Sequence, residues 1–64
     1  MVDENKMIAV LQRYWDNIER AKNDNVAEFW VDRYFACKNY TEDVLGKKII
    51  DRDNVITFDE EQGD

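Results

Sequence analysis

Residues 26–46 read VAEFWVDRYFACKNYTEDVLG and form the longest amphipathic segment of the chain. On a helical wheel most of its apolar residues fall on one side, as they do in a helix that faces a core. That side holds Val26, Ala27, Trp30, Val31, Tyr34, Cys37, Val44 and Leu45. Gly46 is well suited to end such a helix in the left-handed conformation. We therefore predict one unbroken helix from Val26 to Leu45, with a break at residues 39–41 as the less favoured alternative.

A first helix is predicted over residues 4–22, because apolar residues again recur at helical spacing. Its apolar side holds Met7, Ile8, Leu11, Tyr14, Trp15, Ile18 and Ala21, with Val10 at the edge. Asp3 is a plausible N-cap for this helix. Residues 23–25, Asn-Asp-Asn, predict a tight turn, and Asn25 with Glu28 resembles a capping box that starts the second helix. A connection this short makes the two helices antiparallel.

After Gly46 the periodicity changes to two β-prone runs around the turn formers Asp51-Arg52-Asp53-Asn54. The predicted fold is therefore mainly α: an antiparallel helical hairpin followed by a short C-terminal β-hairpin or extended segment. We expect a single domain over residues 1–64, with a folded core of about residues 4–58. Residues 59–64 are mostly acidic and have no apolar anchor, so we expect a disordered tail there.

The composition argues against most kinds of catalysis. The chain has 64 residues, no histidine, one cysteine, two glycines and a net charge of −6. Without histidine there is no His-activated nucleophile, and the cysteine and glycine content disfavours a metal site or a phosphate-binding loop. The negative charge disfavours direct binding to nucleic acid or to anionic lipid. We therefore expect a cytoplasmic protein that is not an enzyme, with no cofactor, no metal and no membrane association.

Individual reactive groups give no stronger signal. Cys37 falls within the apolar side of the second helix, where a free thiol usually serves as a small packing residue. Glu28 and Asp32 lie one helical turn apart, but a helical hairpin offers little concave space in which to desolvate an acid–base pair. Residues 51–54 begin like a calcium loop. Val55 then occupies the fifth position, which needs an oxygen ligand, the sixth position lacks glycine, and Gln62 replaces the bidentate glutamate of the twelfth, so we reject a calcium site.

The second helix carries more apolar surface than one partner helix can cover. Phe29, Ala36 and Tyr40 follow one another at steps of seven and four residues on a different side, and Phe35 flanks the main apolar side. Three coverings are open at this point. The C-terminal hairpin could fold over these residues through Ile50, Ile56 and Phe58, a second copy could cover them as a homodimer, or another protein could bind there.

A second surface of this helix is acidic. Glu28, Asp32, Asn39 and Asp43 follow one line at steps of four, seven and four residues. The simpler interpretation is a solvated face that keeps the protein soluble. The functional interpretation is a docking face for a basic groove, where the carboxylates take the place of a nucleic-acid phosphate backbone.

Several general features resemble those of small accessory proteins of bacteriophages and other mobile elements. They are the short acidic chain, the absence of Pro and His, the many aromatic residues, and a helix that ends in Leu45-Gly46-Lys47-Lys48-Ile49 before a hairpin. The resemblance implies a stoichiometric inhibitor or modulator of a host protein, such as a nucleic-acid-handling or defence enzyme. The alternative hypothesis is a homo-oligomeric structural or adaptor protein. It would assemble through the apolar stripe of the second helix, formed by Phe29, Phe35, Ala36 and Tyr40.

Overall fold

The computed structural model describes residues 3–59, which form two helices followed by two strands. They are α1 (Glu4–Arg20), α2 (Asp24–Leu45), β1 (Ile49–Arg52) and β2 (Val55–Phe58). The mainly-α fold with an antiparallel helical hairpin and a C-terminal β-hairpin is thereby confirmed. The predicted disordered tail lies outside the described residues except for Asp59, whose backbone N–H donates to Lys48 O at 2.9 Å.

The ends of α1 follow from its two flanking residues. The Asp3 side chain accepts a hydrogen bond from the Lys6 backbone N–H at 3.2 Å, so the predicted N-cap is confirmed. The helix ends two residues before the predicted boundary, because Ala21 has an extended backbone with φ −60° and ψ 135°. This early end lets residues 21–23 reverse the chain.

The start of α2 differs from the prediction. Asn23, not Asn25, is the N-cap, and its side chain accepts from the Val26 backbone N–H at 3.0 Å. The predicted turn at residues 23–25 and the capping box formed by Asn25 and Glu28 are therefore wrong. Asn23 can cap because its backbone is extended, and Asp24 then lies in the first turn, where a negative charge complements the helix dipole.

The predicted unbroken course of α2 is confirmed, and the alternative break at residues 39–41 is wrong. Thr41 is fully buried in this region, and its Oγ1 donates to Cys37 O at 2.7 Å. That bond satisfies the hydroxyl without interrupting the helix. Gly46 then ends α2 in the left-handed region with φ 66°, as predicted.

The β-hairpin turns through two residues only. Asp53 and Asn54 both have positive φ, 54° and 65°, which is the backbone of a type I′ turn. Arg52 pairs with Val55 immediately before and after this turn, so residues 51 and 52 belong to β1 and not to the predicted four-residue turn. A type I′ turn already matches the twist of the strands, and a longer connection is therefore not needed.

The core lies where both helices and the hairpin meet. Its buried apolar side chains within residues 3–59 are those of Leu11, Tyr34, Ile49 and Ile56. The Trp15 ring packs on Tyr34 with 5.5 Å between centroids, and Lys47 Nζ lies 3.1 Å from Glu4 Oε1. The beginning of α1 is therefore close to the end of α2, as the antiparallel arrangement requires.

Each helix also holds one strand by a polar side chain. Gln12 on α1 accepts from Ile56 N–H at 2.8 Å and donates to Asn54 O at 3.0 Å. Glu42 on α2 accepts from Ile49 N–H at 2.8 Å. These bonds satisfy backbone groups at the two edges of the hairpin and fix its position on the helices.

Within residues 3–59, neither helix has the length and apolar character needed to cross a lipid bilayer.

Candidate docking surface on the second helix

The placement of the hairpin decides which part of α2 stays exposed. Strand pairing places Ile49, Ile56 and Phe58 on the inner face of the hairpin, against the core, and Ile50 on the opposite face. The hairpin therefore packs beside Tyr34 and α1. The first of the three open coverings, in which the hairpin folds over Phe29, Ala36 and Tyr40, is wrong. Phe29 remains 49% exposed and Tyr40 60% exposed.

The exposed side of α2 carries a regular strip of residues. Its members, hereafter the α2 strip, are Val26, Phe29, Arg33, Ala36 and Tyr40, and all five are exposed. They follow one another at alternating steps of three and four residues, so they lie along one line of a helix. Val44 extends the line by one further turn and is also exposed.

Contacts along the helix hold part of the α2 strip in place. The Arg33 guanidinium lies over the Phe29 ring, with Cζ 4.4 Å from the ring centroid. The Phe29 and Trp30 rings are nearly perpendicular, with 5.1 Å between centroids, and Trp30 in turn packs on Tyr14 of α1 at 5.8 Å. Phe29 is thus both exposed and ordered by its neighbours, which lowers the entropy lost when a partner covers it.

Phe35 does not belong to the same line. It is 51% exposed, and its ring packs on Tyr34 with 5.3 Å between centroids. It lies six positions after Phe29, which places it about a third of a turn away around the helix. The structure therefore brings Phe29, Ala36 and Tyr40 together but places Phe35 elsewhere on α2.

The predicted acidic line lies between Phe35 and the α2 strip. This acidic row consists of Glu28, Asp32, Asn39 and Asp43, all exposed. The ion pairs of Lys38 with Glu42 and of Lys47 with Glu4 use no carboxylate of the row. Three uncompensated carboxylates therefore run along one side of the helix.

Sequence reasoning missed a polar feature of the core. Tyr34 is 2% exposed, and its hydroxyl has no hydrogen-bond partner among the described residues; the same holds for Trp15 Nε1. Burial raises the pKa of Tyr34, and the charges of Asp51 and Glu42 raise this pKa further. A phenol in this environment stays protonated and is a poor base. Only the tertiary contacts reveal the feature, since the sequence shows Tyr34 simply as one more residue of the apolar side.

Glu42 is the second titrating group that the fold perturbs. The hydrogen bond from the Ile49 backbone N–H lowers its pKa most, and the hydrogen bond and charge of Lys38 lower it further against a smaller effect of burial. The carboxylate is therefore kept charged by the hairpin that it holds. This is a structural role.

Cys37 is a free thiol, half-buried against the core, as expected from its position in the apolar side of α2. Across residues 3–59 no cluster of His, Cys, Asp and Glu has the arrangement of a metal site.

Comparison with known proteins gives no match: no family model, no curated protein and no solved structure matches the chain.

Proposed function

We propose that the protein is a non-enzymatic, acidic binding protein that docks through the exposed side of α2 onto a basic surface of another protein. The observation that carries this proposal is the row of uncompensated carboxylates beside half-exposed aromatic side chains on one rigid helix. It combines the two elements of a specific interface, charged groups at the rim and aromatic anchors.

The two parts of this surface contribute differently to binding. Phe29 and Tyr40 supply large apolar area that gains free energy when it leaves water. Glu28, Asp32 and Asp43 supply a negative field that speeds association with a basic groove and selects against acidic partners. A protein groove that ordinarily binds a phosphate backbone offers the complementary positive charge.

The proposed action is stoichiometric inhibition or modulation of a nucleic-acid-handling or defence enzyme, of the kind implied by the resemblance to phage and mobile-element accessory proteins. Binding over a basic groove would compete directly with nucleic acid. A cytoplasmic location fits this proposal, because Cys37 is a free thiol of the sort that reducing compartments preserve.

Charge reversal tests the proposal once a partner has been captured from a lysate of the source cells. We expect Asp32→Lys to weaken binding to the captured protein at low salt, and the triple change Glu28→Lys, Asp32→Lys and Asp43→Lys to weaken it further. Glu19→Lys is the matched control, because it makes the same charge change at an exposed position of α1. Equal loss of binding in Asp32→Lys and Glu19→Lys would show that net charge, and not the acidic row, governs docking.

The homo-oligomeric alternative keeps one specific observation in its favour, the regular spacing of the α2 strip.

A further inference from the structure

The spacing of the α2 strip is that of a coiled-coil seam. Positions 26, 29, 33, 36 and 40 alternate between steps of three and four residues, as do the first and fourth positions of successive heptads. The strip spans about 21 Å of helix at about 1.5 Å per residue. A helix that pairs with this seam can contact every member of the strip along its whole length.

We propose that a second copy of the chain covers the strip by pairing α2 with α2 in the antiparallel direction. In the register that pairs the two large rings, Phe29 of each copy lies opposite Tyr40 of the other copy, and Arg33 lies opposite Ala36. At each end of the strip Val26 lies opposite Asp43, so the apolar contact is confined to the central four residues. The two large rings thus pack against each other twice. Each arginine meets the smallest side chain of the strip, which leaves it room to reach solvent.

The charge of Arg33 favours antiparallel over parallel pairing. In a parallel pair each seam residue meets its own equivalent, so the two Arg33 side chains would face each other within the seam and repel. The antiparallel register separates them. A single polar residue in a seam commonly sets orientation and register in this way, at some cost in stability.

The residues that flank the seam make both favourable and unfavourable contacts in the antiparallel pair. Asp32 and Asn39 lie on the same flank of the strip, one heptad apart, and the antiparallel register brings Asp32 of one copy beside Asn39 of the other. The Asn39 amide can donate to the Asp32 carboxylate, and this contact favours the pair. The same register brings Glu28 of one copy beside Asp43 of the other, and the repulsion between these carboxylates opposes the pair. On the other flank stand Trp30 and Cys37, both half-buried and apolar.

The small core gives a reason for a second copy. Within residues 3–59 only four apolar side chains are buried, while Phe29, Tyr40, Val26 and Val44 remain about half exposed. Domains of this size commonly gain stability by oligomerisation when they lack disulfides and metals. Because α2 is already ordered by its contacts with α1 and the hairpin, pairing does not incur the cost of forming the helix.

Antiparallel pairing has a consequence for the acidic row. The two-fold axis of such a pair is perpendicular to both helices, so equivalent flanks lie on the same side of the dimer. The acidic rows of the two copies would then form one continuous negative face, with three carboxylates from each copy. Only this consequence rests on the proposed function; the dimer itself does not. Because the dimer buries Phe29 and Tyr40, it leaves the acidic face, and not these aromatic anchors, for another protein.

Sedimentation equilibrium over a range of concentrations up to millimolar tests the dimer. We expect a monomer–dimer equilibrium whose Kd rises about 30-fold or more in Phe29→Asp and in Tyr40→Asp, since each change places a charge in the seam. Phe35→Asp is the matched control, an equally exposed aromatic outside the seam, and should dimerise like the wild type. Circular dichroism confirms that each variant remains helical. A monomer at the highest concentration, or equal weakening by Phe35→Asp, would overturn the proposal.

Single cysteines test the direction of pairing in a Cys37→Ala background. An equimolar mixture of the Phe29→Cys and Tyr40→Cys variants should give a mixed disulfide under mild oxidation, measured by mass spectrometry without reductant. Each variant alone should remain largely uncrosslinked, because equivalent positions are far apart in the antiparallel register. Efficient self-crosslinking of the Phe29→Cys variant would demonstrate a parallel pair. Neither measurement involves another protein, so their failure leaves the charge-reversal test of the proposed function unaffected.

Discussion

Among single residues, Tyr34 joins a buried ring to a polar group that lacks a partner. Its ring is part of the core, yet its hydroxyl has no hydrogen-bond partner among residues 3–59. An unsatisfied buried hydroxyl costs free energy that a phenylalanine of the same shape avoids. We expect Tyr34→Phe to raise the free energy of unfolding by about 1 kcal/mol in urea denaturation. Tyr40→Phe, at an exposed position, should leave stability almost unchanged; a marked loss of stability in Tyr34→Phe would show that the hydroxyl is bonded in solution.

Glu42 gives a pH-dependent prediction at the same scale. Its pKa is lowered in the folded protein, chiefly by the Ile49 N–H, from an ordinary value of 4.5. The unfolded chain therefore binds the proton more tightly, so this group stabilises the fold above pH 4.5 and loses that contribution as the pH falls through the folded-state pKa. We expect Glu42→Gln to be less stable than the wild type at neutral pH, with the difference shrinking as the solution is acidified. Thermal unfolding at a series of pH values measures it, and a difference that stays constant with pH would contradict the linkage.

At the scale of elements, the hairpin depends on α1 for its position. Gln12 makes two hydrogen bonds to the backbone of residues 54 and 56, and one satisfies the Ile56 N–H. We expect Gln12→Ala to destabilise the protein by about 1–2 kcal/mol and to speed hydrogen exchange of the Ile56 amide more than that of helix amides. Arg13→Ala is the control, an exposed neighbour on the same helix. Uniform acceleration at all amides would mean that the hairpin opens only when the whole molecule unfolds.

The elements were largely predictable from the sequence, and their ends were less so. The apolar periodicity of residues 26–45 and the cap at Gly46 correctly predict the course and the end of α2, because both are local signals. The start of α2 was misplaced because three consecutive residues, Asn23, Asp24 and Asn25, all have side chains able to cap, and only the backbone geometry selects Asn23. The hairpin turn was placed too broadly for a similar reason, since Asp51 resembles a turn residue but pairs with Ile56.

For the whole molecule, the placement of the hairpin determines which surface of α2 is exposed. The sequence showed two apolar sides on α2, and both could have received it. The structure places Ile49 and not Ile50 in the core, because the strand register puts Ile49 on the same face as Ile56 and Phe58. This alternation is a period-two property that a one-residue shift reverses, so the apolar content of the strand alone could not settle it. As a result the acidic row and Phe29, Ala36 and Tyr40 of the α2 strip were predictable, and their exposure was not. Val26, which the wheel places on the core side, and Arg33 join the strip only in the structure.

The response to salt distinguishes the α2–α2 dimer from docking onto a basic protein. Charge repels the two copies of the dimer, whereas charge attracts the basic partner. Two copies of a chain with a net charge of −6 repel each other, and added salt screens that repulsion. We therefore expect the dimer Kd from sedimentation to fall as ionic strength rises, while the apolar seam continues to hold the pair. Docking onto a basic partner should instead weaken with salt, since screening removes the attraction to the acidic row. The Asp32→Lys variant sharpens the comparison, because it should reduce both salt effects while leaving Phe29 and Tyr40 in place. A dimer that dissociates when salt is added would mean that ion pairs, and not the α2 strip, hold the two copies together.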